Sequence, residues 1–368
     1  METEKIDLII TTNVTYGEYL YFTVRHYNGL FRMKIGSEDV ELVIMFDEKK
    51  VNFNLYSRMY LYNGTLWLIP WQAEKIAVVD MQTHETEYIV PLYKQTNELG
   101  QKYTGALFYS GVVYHEKYLF LCPCAVDTIL VINMETRVMT PYYGAIKPDE
   151  YFLFCVYDDV HSVVWMYPQI GNEMIAFYVN TGEIIRHKWE IPINHVKGMQ
   201  INNRKIWFAP FQADYILIMD TDDLSLEYIS LENEKKEDKY YCTWQDEDTF
   251  YSTTANGMKI LAVNMHNHTV KYFNISEKKV QEEDRIETAL VNWNEKMLAI
   301  FYLRDGKSDL AYLDEQMSIK KIVPIQIKRK KDRKGFFKVL FQTISNNMFS
   351  EEKTGLDFFL DLVCTVSM

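Results

Sequence analysis

The chain has 368 residues, 48% of them hydrophobic, and a formal net charge of −12; this length exceeds one ordinary core and calls for two domains or a repeat architecture. Residues 326–368 hold eight Lys/Arg against five Asp/Glu, so everything before them sums to −15, an acidic body that repels nucleic acid and anionic membrane. There is neither a basic-then-apolar leader nor a run of eighteen apolar residues, and the five cysteines are scattered without CxxC spacing; this predicts a soluble, cytoplasmic protein with reduced thiols and no membrane insertion.

In chain order, one phrase returns seven times. Its most divergent copy is YLYFTVRHYNGLFRMKI at 19–35, followed by LWLIPWQAEKIAVVD at 66–80, LFLCPCAVDTILVIN at 119–133, VWMYPQIGNEMIAFYVN at 164–180 and IWFAPFQADYILIMD at 206–220. FYSTTANGMKILAVN at 250–264 and LAIFYLRDGKSDLAYLD at 298–314 keep the pattern without the proline. The spacing of roughly 42 to 53 residues is the period of propeller blades with four strands each.

Each copy consists of short β-rich runs separated by turn signals. In the second unit the pattern predicts strand A at Arg58–Tyr62, a hairpin turn at Asn63–Gly64, strand B at Leu66–Trp71, strand C at Lys75–Met81 and strand D at Thr86–Tyr93. Asn-Gly is favoured there because both residues accept the positive φ of a tight hairpin. Asp80, Asn133, Asn180, Asp220, Asn264 and Asp314 follow strand C, where a short polar side chain can accept a backbone hydrogen bond and start the C–D turn.

The phrase LWLIP…KIAVVDMQTHETEYIV resembles the YVTN-type repeat of bacterial seven-bladed propellers in the WD-repeat-like superfamily. The resemblance implies an all-β, seven-bladed β-propeller with four antiparallel strands per blade, here covering residues 1–325. That superfamily includes binding scaffolds, surface proteins, lactonases and antibiotic lyases, so the resemblance implies a fold and leaves the activity to be read from the site.

In a propeller, B–C loops and D–A connections share one face around the channel, and A–B and C–D turns share the other. The B–C loops place Glu74, Asp127, Glu173 and Asp214 at nearly equivalent positions, accompanied by Trp71, Gln72, Gln169, Phe211 and Gln212. A partial ring of carboxylates at a channel mouth can accept a cation, a polyamine or the basic part of a peptide. The simpler reading is a repeated loop-locking hydrogen bond, and the two are compatible. On the same face, the long D–A connection KQTNELGQKYT (Lys94 to Thr104) exceeds what a bare link needs.

Chemistry finds little support. The HxH pair His266 and His268 suggests a metal only with a third ligand, and none is indicated; no metal or cofactor is expected. His195, in a D–A connection, is the best general-base candidate, yet there is no GxSxG elbow and no phosphate loop. The sequence thus points to a non-catalytic binding or assembly scaffold recognising a protein, peptide or small ligand at the B–C/D–A face. The alternative is a metal-dependent lactonase or lyase of the propeller type, with Glu74, Asp127 and Asp214 as possible ligands.

After residue 325 comes a basic linker, KRKKDRKGFFK, and then TGLDFFLDLVCTV. In the latter, Leu356, Phe359, Leu360 and Val363 fall at helical spacing behind the cap-like pair Thr354 and Asp357, predicting a short amphipathic C-terminal helix. Such a helix packs on the propeller or docks a partner protein.

Overall fold

The computed structural model describes residues 4–25, 27–48, 55–94, 108, 111–144, 147, 150, 152–168, 173–188, 196–210, 214–231, 243–253, 259–274, 287–293, 296–303, 307–314 and 317–329. Its strand Thr65–Pro70, with the sequence TLWLIP, is buried on both faces. Successive side chains of a strand point to opposite sides. Leu66 and Leu68 join the cluster of Tyr21, Leu30 and Tyr56 on one side, whereas Trp67 and Ile69 join Val112, Leu119 and Leu121 on the other. A strand held between two sheets needs apolar residues at every position, not at alternate ones. Ile206 and Phe208 face the Trp165 cluster, and Trp207 and Ala209 face Phe250 and Leu261. The phrase recurs because each copy is the middle of a sheet with a sheet on either side.

Seven such sheets follow one another in the chain, each of four antiparallel strands in sequence order, spanning 10–45, 56–89, 112–143, 152–188, 196–230, 243–274 and 287–324. The first strand of each lies innermost. Neighbouring first strands meet around the ring, with Ile10–Tyr16 of the first sheet against both Tyr56–Tyr62 of the second and Glu287–Trp293 of the seventh. Between the second and third sheets the Tyr60 hydroxyl donates to the Val112 carbonyl at 2.6 Å. This is the seven-bladed, all-β architecture that the repeat predicts, and no helix occurs among the described residues.

The closure of the ring was not legible. Glu4–Asp7 pairs antiparallel with Gln326–Arg329 in a separate ribbon. Leu8 N donates to Ile325 O, Ser308 N to Leu8 O and Ile10 N to Ser308 Oγ, each at 3.0 Å. The amino-terminal segment is therefore stitched into blade seven, and the first four residues of the stretch read as a linker form a strand. The predicted amphipathic helix with Leu356, Phe359, Leu360 and Val363 lies outside the described residues.

The turns follow the expected grammar closely. Asn63 and Gly64 have φ of 44° and 75°, as a tight hairpin requires. Asp80 Oδ1 accepts the amides of Gln82 and Thr83 at 2.8 Å, Asn133, Asp220 and Asn264 make corresponding bonds, and Asp314 Oδ1 accepts instead from Ser318 N, four residues on. Blade four departs from this pattern. Val163 pairs with Tyr178 as Thr65 pairs with Asp80, so Tyr178 holds the punctuating position and Asn180 falls two residues later. Strands B and D of blade two also end earlier than predicted, at Pro70 and Ile89.

Candidate functional site

The B–C loop of blade two is anchored through its backbone. The amides of Trp71, Gln72 and Ala73 all donate to the Leu55 carbonyl, at 2.8, 3.1 and 3.1 Å. Trp71 and Gln72 are half-buried, and Glu74 is exposed at the tip. Beneath the loop lies Glu48, only 7% exposed, which sequence reasoning missed because FDEKK reads as a solvated turn. Burial raises its carboxyl above the ordinary range, against the opposing backbone hydrogen bonds of Glu74 and Lys75. Glu48 Oε1 and the fully buried Tyr56 hydroxyl make no hydrogen bond.

Blade three places its candidate differently. The loop Cys122 to Asp127 is buried, Asp127 itself to 8% exposure, and Asp127 Oδ1 accepts from Thr128 Oγ1 at 2.8 Å. The Pro123 carbonyl accepts from Phe152 N of blade four at 3.1 Å. Cys122, Cys124 and Cys155 are free thiols, and burial, with a hydrogen bond to Cys155, pushes the Cys122 thiol up.

In blade four, Glu173 opens strand Glu173–Tyr178 and belongs to an ion network. Arg186 holds Glu150 with two 2.9 Å bonds and reaches Glu173 at 3.2 Å, while Lys147 Nζ lies 2.6 Å from Glu173. Lys147 first, and then Arg186, keep Glu173 below the usual carboxylate range. Lys147 and Glu150 come from the D–A connection and Arg186 from the outer strand, so no local sequence signal could have assembled them. In blade five, Asp214 is exposed and its carbonyl accepts from Leu231 N at 2.7 Å.

The strand register sorts these carboxylates. Glu74, Asp127 and Asp214 each stand four residues before Val78, Val131 and Ile218, which lie opposite Trp67, Phe120 and Trp207. Ala176 holds that place in blade four, opposite Trp165, so Glu173 sits one residue further along and points into its own blade's ion pairs. Three of the four carboxylates thus share a structural position, and two of those three are exposed. Gln169, Phe211, Gln212 and His195 lie outside the described residues, as does the connection after Lys94.

The HxH pair is divided. His266 Nε2 lies 2.7 Å from Asp248 Oδ1, and His268 Nδ1 lies 3.1 Å from Glu227 Oε1. Among the described residues, no three His, Cys, Asp or Glu side chains gather to hold a metal ion.

No family model and no curated protein matches the sequence. Virginiamycin B lyase from Staphylococcus aureus is similar in structure over 81% of this chain and 95% of its own, with a TM-score of 0.59 at 12% identity. The extracellular domain of a putative one-component system from B. thetaiotaomicron matches 84% of this chain over 41% of its own, with a TM-score of 0.58 at 12% identity. Kluyveromyces lactis Hsv2 matches 86% of this chain and 99% of its own, with a TM-score of 0.52 at 9% identity. At such identities the likeness is one of fold. Seven four-stranded sheets closed into a ring give the chain the fold of a seven-bladed β-propeller.

Proposed function

We propose that this propeller is a non-catalytic binding module that takes a basic protein or peptide segment at the B–C/D–A face. The observation that carries this reading is the shared position of Glu74 and Asp214, exposed on blades two and five, with the half-buried Trp71 in the same loop as Glu74. Carboxylates accept charged hydrogen bonds from Lys and Arg, and an indole face attracts the same cations. The loops that present them are held by backbone hydrogen bonds to Leu55 and Leu231, so little ordering entropy opposes binding. The acidic body adds long-range attraction for a basic partner. A propeller-type lactonase or lyase would draw on convergent carboxylates, yet Asp127 is bonded to Thr128 and Glu173 to Lys147 and Arg186. We place the binding activity in the cytoplasm, a reading in keeping with the free thiols of Cys122, Cys124 and Cys155.

The test is an array of synthetic basic, neutral and acidic peptides probed with the wild-type chain and with the double variant Glu74→Gln, Asp214→Asn. Binding confined to basic peptides, lost in a double variant of unchanged melting temperature, is the expected result. Retained binding in the variant, or none to basic peptides in the wild type, contradicts the proposal.

A further inference from the structure

Three consecutive seams of the ring are bridged on the opposite face, that of the A–B and C–D turns, by a histidine–carboxylate pair. Between blades three and four, His115 Nδ1 lies 3.0 Å from Asp159 Oδ1, with the His115 ring stacked on Tyr157 at 3.9 Å. Between blades four and five, His161 Nε2 lies 2.9 Å from Asp222 Oδ1. Between blades five and six, His268 pairs with Glu227 and stands edge-on to Trp207 at 5.7 Å.

The seam between blades two and three supplies a built-in control. Arg137 has the same left-handed turn position as His268, with φ of 64° against 59°. It lies over Trp67 at 4.5 Å and reaches Glu87 at 3.5 Å, and Glu87 pairs with Val78 as Glu227 pairs with Ile218. One seam therefore carries a permanent cation where another carries an imidazole.

The middle clasp is the most fully built. His161 Nδ1 lies 2.7 Å from Asp158 Oδ2 while Nε2 faces Asp222. Only the doubly protonated imidazolium can donate to both carboxylates at once; a neutral ring turns a lone pair towards one of them. Asp158 is 1% exposed, and its oxygens also accept from the amides of Val160 and His161 and from Trp165 Nε1. Thr221 Oγ1 approaches His161 at 3.4 Å, and Arg204 pairs with Asp222 from the far side. The charged and titratable groups about the flanking clasps are Glu116, Asp159 and Tyr157 around His115, and Glu227 with its second partner Lys205 beside His268.

We infer that His161 is a proton-operated clasp across the seam of blades four and five, closed by Asp158 and Asp222 in the imidazolium state and released in the neutral state. His115 and His268 set an imidazole against a carboxylate at the two flanking seams. The hydrogen bond to Asp158 raises His161 above its ordinary 6.5, against slight burial and with Asp222 adding to the rise. A group raised on folding contributes stability that is fully present below its unfolded value and lost as pH rises through its folded value. The contribution is therefore whole below about pH 6.5 and fades above it.

The experiment compares thermal melts of the full chain, wild type, His161→Gln and His161→Arg, from pH 5.5 to 9. The difference in melting temperature between wild type and His161→Gln is expected to be largest near pH 6 and to shrink at least threefold by pH 8.5. His161→Arg, a permanent cation like Arg137, is expected to hold its offset from His161→Gln across that range. Wild-type and His161→Gln curves that run parallel overturn the inference. If the variants do not fold, ring-carbon NMR of histidine-labelled wild type decides: titration of His161 above the ordinary range supports the clasp, and titration at or below it refutes it.

Discussion

Replacing Arg186 by Met tests what holds the loop-bearing face of blade four. The guanidinium makes two 2.9 Å bonds to Glu150, whose side chain is 9% exposed, while the only other cation in reach among the described residues, Lys147, stands 3.7 Å away. Removing one partner of a largely buried pair costs about 3–5 kcal/mol, and the partial exposure of Arg186 places the expected loss near the low end, about 3 kcal/mol. For 368 residues the unfolding entropy is roughly 0.8 kcal/mol/K near the midpoint, so the melting temperature should fall by about 4 °C. The assay is urea unfolding of Arg186→Met, Glu150→Leu and the double variant. The double variant should recover most of the loss, because the cost lies in stranding one buried charge rather than in lacking the pair. An Arg186→Met protein within about 0.5 kcal/mol of wild type would refute the reasoning.

Other consequences follow from the same packing. Trp67→Ala should cost about 3–5 kcal/mol, because a fully buried indole between blades two and three is lost and Arg137 loses its ring; a smaller loss in urea unfolding would show that the blades close over the gap. Gly182→Ala should cost at least about 1–2 kcal/mol, since φ is 74° and the new Cβ would stand 2.5 Å from the Tyr142 ring, and calorimetry showing no loss would contradict the turn geometry. At the acid end, burial pushes Asp158 up, but hydrogen bonds from His161, from Thr221 and from the backbone outweigh it and leave the carboxyl below 3.8. Asp158 thus contributes stability above about pH 3.8 that is lost as pH falls through its folded value. Asp158→Asn should flatten the acid limb of the stability profile, and an unchanged limb would assign that limb to other carboxylates.

What could be read from the residues was what repeats. Burial on both faces wrote LWLIP and IWFAP as continuous apolar runs, and the turn chemistry of Asp80, Asn133, Asp220 and Asn264 followed from local geometry alone. The ribbon of Glu4–Asp7 with Gln326–Arg329 joins the two ends of the described chain and is made of short polar segments, so no periodicity announced it. The site was legible only where the repeat held its register. Glu74 and Asp214 stand where the phrase placed them, while the displaced register of blade four moved Glu173 into ion pairs with residues distant in sequence. Asp127 kept the register but lost its exposure, because CPCAVD is apolar enough to be buried whole. His161 belongs to no sequence motif, since its partner Asp222 lies on the next blade and no spacing rule connects them.

The central claim is that a basic segment engages the B–C/D–A face, and hydrogen–deuterium exchange of the full chain with and without a Lys- and Arg-rich synthetic peptide tests it most directly. The account predicts slowed exchange in the loops at Trp71–Lys75 and Asp214–Tyr215, with the turns at Met81–Glu85 and Thr221–Ser225 on the opposite face unchanged. Protection confined to those opposite turns, or none anywhere at saturating peptide, would contradict it.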